Sequence, residues 1–205
     1  MPVATVYSVF FHYLLIYVPS ELFDWQLAPN SFHRIVAFES ENRLIDKVLA
    51  FTVTMQKTLV LLKPDCLHRR LAGTILQRFE RKGLRLAGLK LVHPSRALAE
   101  QHYAIHKGKP FYDSLLSFLT SGPTIAVVLE GREAVAVVRQ IMGPTDGTKA
   151  PPATIRGDFA ISVQNNLIHG SDSPENAAAE IQLWFKPAEL VDYSPVDHSW
   201  VAGTS

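Results

Sequence analysis

Asn166-Leu167-Ile168-His169-Gly170-Ser171-Asp172-Ser173-Pro174-Glu175 carries a change of backbone period that orders the chain around it. Two apolar residues, Leu167 and Ile168, read as the end of a short buried strand that Gly170 stops. Ser173 then has the chemistry of an N-cap and Pro174 that of a first helical position, so a helix starts there. His169 is delivered to a strand-to-helix junction, where a side chain is presented at the sheet edge and free helix N–H groups favour anions. Glu180 falls about two turns into that helix, placed to reach back and orient the imidazole. By default a lone histidine after two apolar residues is structural; a site needs support from elsewhere in the chain.

The segments before the junction alternate. Thr58–Leu62 is an apolar run stopped by Lys63-Pro64-Asp65, a buried strand ending in a proline turn, with Lys63 at the strand end. Leu71–Lys82 has Ile75, Leu76 and Phe79 at helical spacing and Gly83 as a stop. Arg85–His93 reads as a second strand with Leu86, Leu89 and Leu91. Ser95 caps a short helix reaching Tyr103. Pro110–Leu119 is a further helix with Leu115, Phe118 and Leu119 on one face and Phe111 at its rim. Pro123–Glu130 is an unbroken apolar run, hence a central strand covered on both faces. Arg132–Met142 is a helix ending at Gly143, with Arg139 in its last turn, where a cation suits the dipole. The irregular stretch 143–153 leads to Thr154-Ile155-Arg156-Gly157-Asp158, and loops of that length are commonly functional. Read in order these segments spell βαββαβ, an α+β sandwich of ferredoxin-like type: a four-stranded, mainly antiparallel sheet covered by helices.

Composition narrows the function classes. A chain of 205 residues that is 47% hydrophobic can bury a proper core. One cysteine, Cys66, excludes an internal disulfide framework and fits a reducing, cytoplasmic setting. A net charge of +1 provides no broad basic face for nucleic acid or anionic membrane, so phosphate binding has to be local. No Cys/His spacing suits zinc. Residues 1–54 stand apart from 55–205. Val3–Val18 is nearly all apolar and aromatic, yet it lacks the basic start of a secretory signal, the length of a membrane span and the arginines of a transit peptide. Three readings remain for this piece: a lineage-specific extension, a weak membrane-associated leader, or a start codon placed upstream of Met55. An unstructured tail or an upstream start is preferred.

A series of short motifs runs through Thr58–Trp200: Lys-Pro-Asp at 63–65, Arg-Phe-Glu-x-Lys-Gly at 78–83, His102-Tyr103, Gly108-Lys109-Pro110-Phe111, Ser-Gly-Pro at 121–123, Thr-Ile-Arg-Gly-Asp at 154–158, and Asn-x-x-His-Gly-Ser-Asp at 166–172. Together they resemble the nucleoside diphosphate kinase family. The resemblance implies that His169 takes the γ-phosphoryl group of a nucleoside triphosphate and passes it to a nucleoside diphosphate in a ping-pong cycle. It implies that Lys63, Tyr103, Arg139, Thr145, Arg156 and Asn166 surround phosphates and sugar. Phe111 would stack on the base beside Leu115 and Val163, and Ser171 and Glu180 would support the histidine. Mg²⁺ would ride on the nucleotide phosphates without a protein cage. The implied partners are nucleoside di- and triphosphates and further copies of the chain, as a tetramer or hexamer, with neither membrane nor nucleic acid; a regulatory or nucleic-acid-binding protein on the same fold is the alternative. Two departures lie in the long loop: Asp146-Gly147 where the family often has Asn-Pro, and Ala153 where a glycine usually stands.

Overall fold

The computed structural model describes residues 10–11, 14–15, 55–197 and 200–201. The chain divides into two units, Met1–Phe51 and Thr52–Ser205. In the first, Phe10–Phe11 pairs antiparallel with Leu14–Leu15; the three readings of residues 1–54 otherwise fall outside the described residues.

The second unit is built on four strands: β1 (Met55–Leu62), β2 (Arg85–Val92), β3 (Thr124–Arg132) and β4 (Ile168–Gly170). They lie in the order β2-β3-β1-β4 with every neighbouring pair antiparallel, the ferredoxin-like arrangement that the alternation predicts. Thr58–Leu62 in β1 and Ala126–Leu129 in β3 are buried residue after residue, because helices cover both faces. Val60, Leu62, Val127, Leu129 and Ile168 point to one face, under α2 (Ala72–Arg81) and α5 (Ala134–Met142). Leu59, Leu61, Ala126 and Val128 point to the other, against α3 (Arg96–His102), α4 (Tyr112–Leu119) and α7 (Pro174–Trp184). The period of two along each strand thus feeds two separate apolar layers.

Two five-residue helices, α1 (Pro64–His68) and α6 (Ile155–Phe159), complete the set. Neither is predicted, since five residues are too short to show a period; α1 replaces the expected proline turn, with Pro64 at a helix start. Arg132 ends β3 instead of opening the next helix: Glu133 at φ 50 breaks the strand and α5 begins at Ala134. Gly170 is the last residue of β4, where the sequence reading ends the strand, and it is still paired, opposite Val60. A Cβ there would meet Met142 Sδ at 2.6 Å, so the glycine lets α5 approach the strand. In α4 the buried residues are Leu116 and Leu119, whereas Phe118 is half-buried beneath the Lys63 ammonium, 5.0 Å from its ring centroid. No helix among the described residues is long and apolar enough to cross a membrane.

Both departures in the long loop have a local account. Asp146 accepts hydrogen bonds from the Thr148 N–H and hydroxyl at 3.1 and 2.7 Å, and Gly147 is packed so closely that a Cβ would sit 2.4 Å from the Ala160 carbonyl oxygen. Ala153 adopts φ 70, a left-handed conformation that an alanine pays for and a glycine does not. Ala153→Gly is therefore expected to raise unfolding stability by about 1 kcal/mol in urea titration; a loss of stability would show that the left-handed backbone carries no strain.

Candidate functional site

The ladder between β1 and β4 sets Leu61 opposite His169 and Leu62 opposite Ile168. Lys63, the next residue after β1, thereby comes beside the histidine strand, and its backbone N–H donates to the Leu167 carbonyl at 2.9 Å. After β4, Ser173 caps α7 by accepting from the Asn176 N–H at 3.1 Å, with Pro174 in the first turn. Two turns on, Glu180 returns to the strand: its Oε1 lies 3.0 Å from His169 Nε2 and its Oε2 accepts the Ser171 hydroxyl at 2.5 Å. Ser171 is itself held to β1, its N–H donating to the Leu59 carbonyl at 3.1 Å. A carboxylate can only accept, so the proton between His169 and Glu180 belongs to Nε2, and in the neutral ring Nδ1 keeps its lone pair.

His169 and Glu180 line a cleft of about 870 Å³. Lys63, Tyr103, Phe111, Leu115, Arg139, Thr145, Arg156, Val163 and Asn166 line it too. Ser171 alone of the expected residues stands behind the wall, 1% exposed. Phe111 and Val163 are the open end, 47% and 59% exposed. Asn166 organises the inner end. Its Oδ1 accepts from Lys63 Nζ at 2.6 Å, and its Nδ2 donates to the carbonyls of Thr145 and Val163 at 2.8 and 2.7 Å. Arg156 donates to the carbonyls of Gly143 and Ile168 at 2.9 and 2.7 Å, tying the long loop to the histidine strand.

The inner wall carries unbalanced positive charge. Lys63 and Arg156 are each 5% exposed, and among the described residues neither they nor Arg139 form an ion pair with a carboxylate. Burial brings the Lys63 ammonium down to about 8, with Asp65 opposing and Arg156 adding to the fall. Burial and the charge of Arg139 bring Arg156 to about 10. Cations held out of water and near one another are a standing demand for an anion. Glu180 sits below the usual carboxylate range: burial pushes it up, but the hydrogen bond and charge of His169 and the Ser171 hydroxyl outweigh that.

The sequence reading assigns no role to His102, although it lines the cleft. Trp184 Nε1–H donates to His102 Nδ1 at 3.3 Å, and the His102 ring stands edge-on to His169 with centroids 4.5 Å apart. Burial holds it neutral, its pKa pushed down to about 3. The signal was present in the His102-Tyr103 pair, but its partners are remote in sequence.

With this geometry in place, comparison with known proteins is decisive. A family model described as nucleoside diphosphate kinase matches residues 56–190. The chain belongs to the nucleoside diphosphate kinase family. A nucleoside diphosphate kinase of Thermosynechococcus vestitus is 55% identical over 147 residues, covering 72% of this chain and 98% of that protein; one of Staphylothermus marinus is 53% identical over 138 residues, covering 67% and 98%. Among solved structures, a halophilic nucleoside diphosphate kinase of Halobacterium salinarum in complex with CDP superposes with a TM-score of 0.71 at 46% identity, covering 72% of this chain and 99% of that one.

The Glu180 balance has a measurable consequence. Its contribution to stability is present above the unfolded carboxylate pKa and lost as pH falls through the lower folded value. In His169→Ala the partner that depresses it is gone and burial remains, so carboxyl NMR titration is expected to show Glu180 titrating at higher pH. An unmoved carboxyl would mean that His169 does not set it.

Proposed function

We propose that this chain transfers the γ-phosphoryl group of a nucleoside triphosphate to a nucleoside diphosphate through a phosphohistidine on Nδ1 of His169. The observation that carries the reading is the pairing of an imidazole, fixed at Nε2 by Glu180, with three cations in the same cleft that form no ion pair with a carboxylate among the described residues. Phosphoryl transfer asks a protein mainly for alignment and for positive charge near the equatorial oxygens. Lys63, Arg139 and Arg156 supply the charge. Asn166 holds Lys63 in place, and Tyr103 and Thr145 border the sugar and phosphates.

In the first half-reaction the Nδ1 lone pair forms the N–P bond as the bond from the γ-phosphorus to the bridging oxygen breaks, leaving a nucleoside diphosphate. Glu180 stabilises the positive charge that the ring acquires. In the second, a terminal phosphate oxygen of another diphosphate takes the phosphoryl group and the N–P bond breaks. One pocket serves both nucleotides in turn. Phe111, Leu115 and Val163 offer the base apolar contact without paired donors and acceptors, which discriminates weakly and supports broad base tolerance.

Mg²⁺ would supply charge neutralisation on the phosphates. The residues fit a metal carried by the nucleotide. Of the carboxylates lining the cleft, Glu180 is engaged by His169 and Ser171 and Asp172 accepts from Asn176 at 2.7 Å, so no protein ligand is assigned. We further propose a homo-oligomer, a tetramer or hexamer. Supporting it, the edge strand β2 exposes Leu89 and Leu91 at 50% and 64%, an apolar edge that invites pairing. A cytoplasmic setting is in keeping with the single buried Cys66.

Two measurements test this reading. Incubated with radiolabelled ATP and Mg²⁺ and freed of nucleotide, the protein is expected to keep an acid-labile label that moves to GDP or dCDP, while His169→Ala takes none. Nucleotide binding without label in the native chain would reduce the site to a binding module. Because Lys63 loses its proton near pH 8 in the free protein, kcat/KM is expected to fall above about that pH. The fall should move higher in Lys63→Arg, whose guanidinium stays charged; an unmoved limb would assign it to another group.

A further inference from the structure

Leu167 lies at φ 71, where a leucine is rarely found. The Ile168 N–H donates to the Asn166 carbonyl at 2.8 Å, so Leu167 is the central residue of a three-residue γ-turn of the strained kind. The turn sits between two parts of the site: Asn166, which holds Lys63, precedes it, and His169 follows after one residue. Such a turn persists only where its surroundings over-determine it. Three residues do so through four hydrogen bonds. Lys63 N–H grips the Leu167 carbonyl at 2.9 Å; Arg156 donates to the carbonyls of Asn166 and Ile168, at 3.4 and 2.7 Å; and Asp65 Oδ2 accepts the Leu167 N–H at 2.9 Å.

Asp65 has no part in the mechanism above, and among the described residues it is the one acceptor that the Leu167 N–H has. Leu167 is 0% exposed, so water cannot replace a lost acceptor without the backbone moving. Rotation of Leu167 out of its left-handed conformation would turn the peptide groups on both sides, carrying Asn166 away from Lys63 and Ile168 away from Arg156. We propose that Asp65 is a positioning residue: its carboxylate clamps the γ-turn at Leu167 and thereby holds His169, Asn166 and Arg156 in one arrangement for phosphoryl transfer. This rests on His169 being the nucleophile.

A competing role for Asp65 is its charge, since it lies in the first turn of α1, where an acid suits the helix dipole, and it favours the charged form of Lys63. Two substitutions separate hydrogen bond from charge. Asp65→Asn keeps an acceptor for the Leu167 N–H, removes the charge, and puts its NH₂ where Oδ1 already lacks a partner. Asp65→Glu keeps the charge and displaces the carboxylate by one methylene.

The test is rapid-quench phosphorylation of His169 by radiolabelled ATP with Mg²⁺, read as rate per competent site and number of competent sites, with ADP affinity measured by calorimetry. Asp65→Asn is expected to stay within about threefold of the native rate per site with native ADP affinity, and Asp65→Glu to be slowed at least about tenfold, the scale of a misplaced reacting group, and to bind ADP more weakly because Asn166 and Arg156 are displaced with the turn. The reverse order would overturn the clamp in favour of charge. A native rate in Asp65→Glu would also overturn it, as would a deficit confined to the number of competent sites, which marks folding alone. Absence of label on the native chain would sink the phosphohistidine reading and this inference with it; label on native chain and Asp65→Glu at equal rates would sink this inference only.

Discussion

Three residue pairs hold the working end of the molecule together: Val60 with Gly170, Leu61 with His169 and Leu62 with Ile168. Everything chemical depends on this short ladder. It sets the His169 strand against the middle of the sheet and brings Lys63 off the end of β1 beside it. It leaves His169 facing the cleft while its neighbour Ile168 is sealed in the core. A three-residue strand is weak alone. Here it borrows rigidity from β1, buried on both faces, and from α5, which approaches it closely because Gly170 has no side chain.

Around that ladder the structure accepts several unfavourable features at once. Lys63 and Arg156 are withdrawn from water and, among the described residues, form no ion pair with a carboxylate, and Leu167 is held at a positive φ. Strain of the latter kind costs on the order of 1–3 kcal/mol, and burial of the cations costs more unless an anion arrives. Their concentration in one cleft, against two conventional apolar layers elsewhere, is how a protein preorganises a phosphate site. Polyphosphate binding would relieve the repulsion between Arg139 and Arg156 and restore the ordinary basicity of Lys63. Part of the binding free energy is in that sense stored in the free protein.

The fold was legible because its signals are redundant. Each strand has an apolar run, each long helix a period, and Ser95 and Ser173 cap two helix starts that the structure keeps. The grouping of the candidate site was legible through its motifs: eleven of the twelve expected residues line one cleft and Ser171 stands behind its wall. What was hidden follows from physics that a linear reading does not carry. α1 and α6 are one turn and a little more, too short for periodicity. Glu133, Ala153 and Leu167 take positive φ angles that no glycine announces. His102 enters the sequence reading only as half of the His102-Tyr103 pair, because Trp184, which fixes its ring, is 82 residues away. Asp65 reads as a turn former, and its acceptor role for Leu167 spans 102 residues.

On the proposed mechanism Glu180 occupies Nε2 of His169, so the phosphoryl group resides on Nδ1. NMR of the phosphorylated protein, with ¹⁵N-labelled histidine and ³¹P detection under alkaline, nucleotide-free conditions, reads the phosphorylated nitrogen directly. The account predicts a single phosphohistidine substituted at Nδ1. Phosphate on Nε2, or on a histidine other than His169, would contradict it, because the Glu180 contact would then have to break for the chemistry to occur.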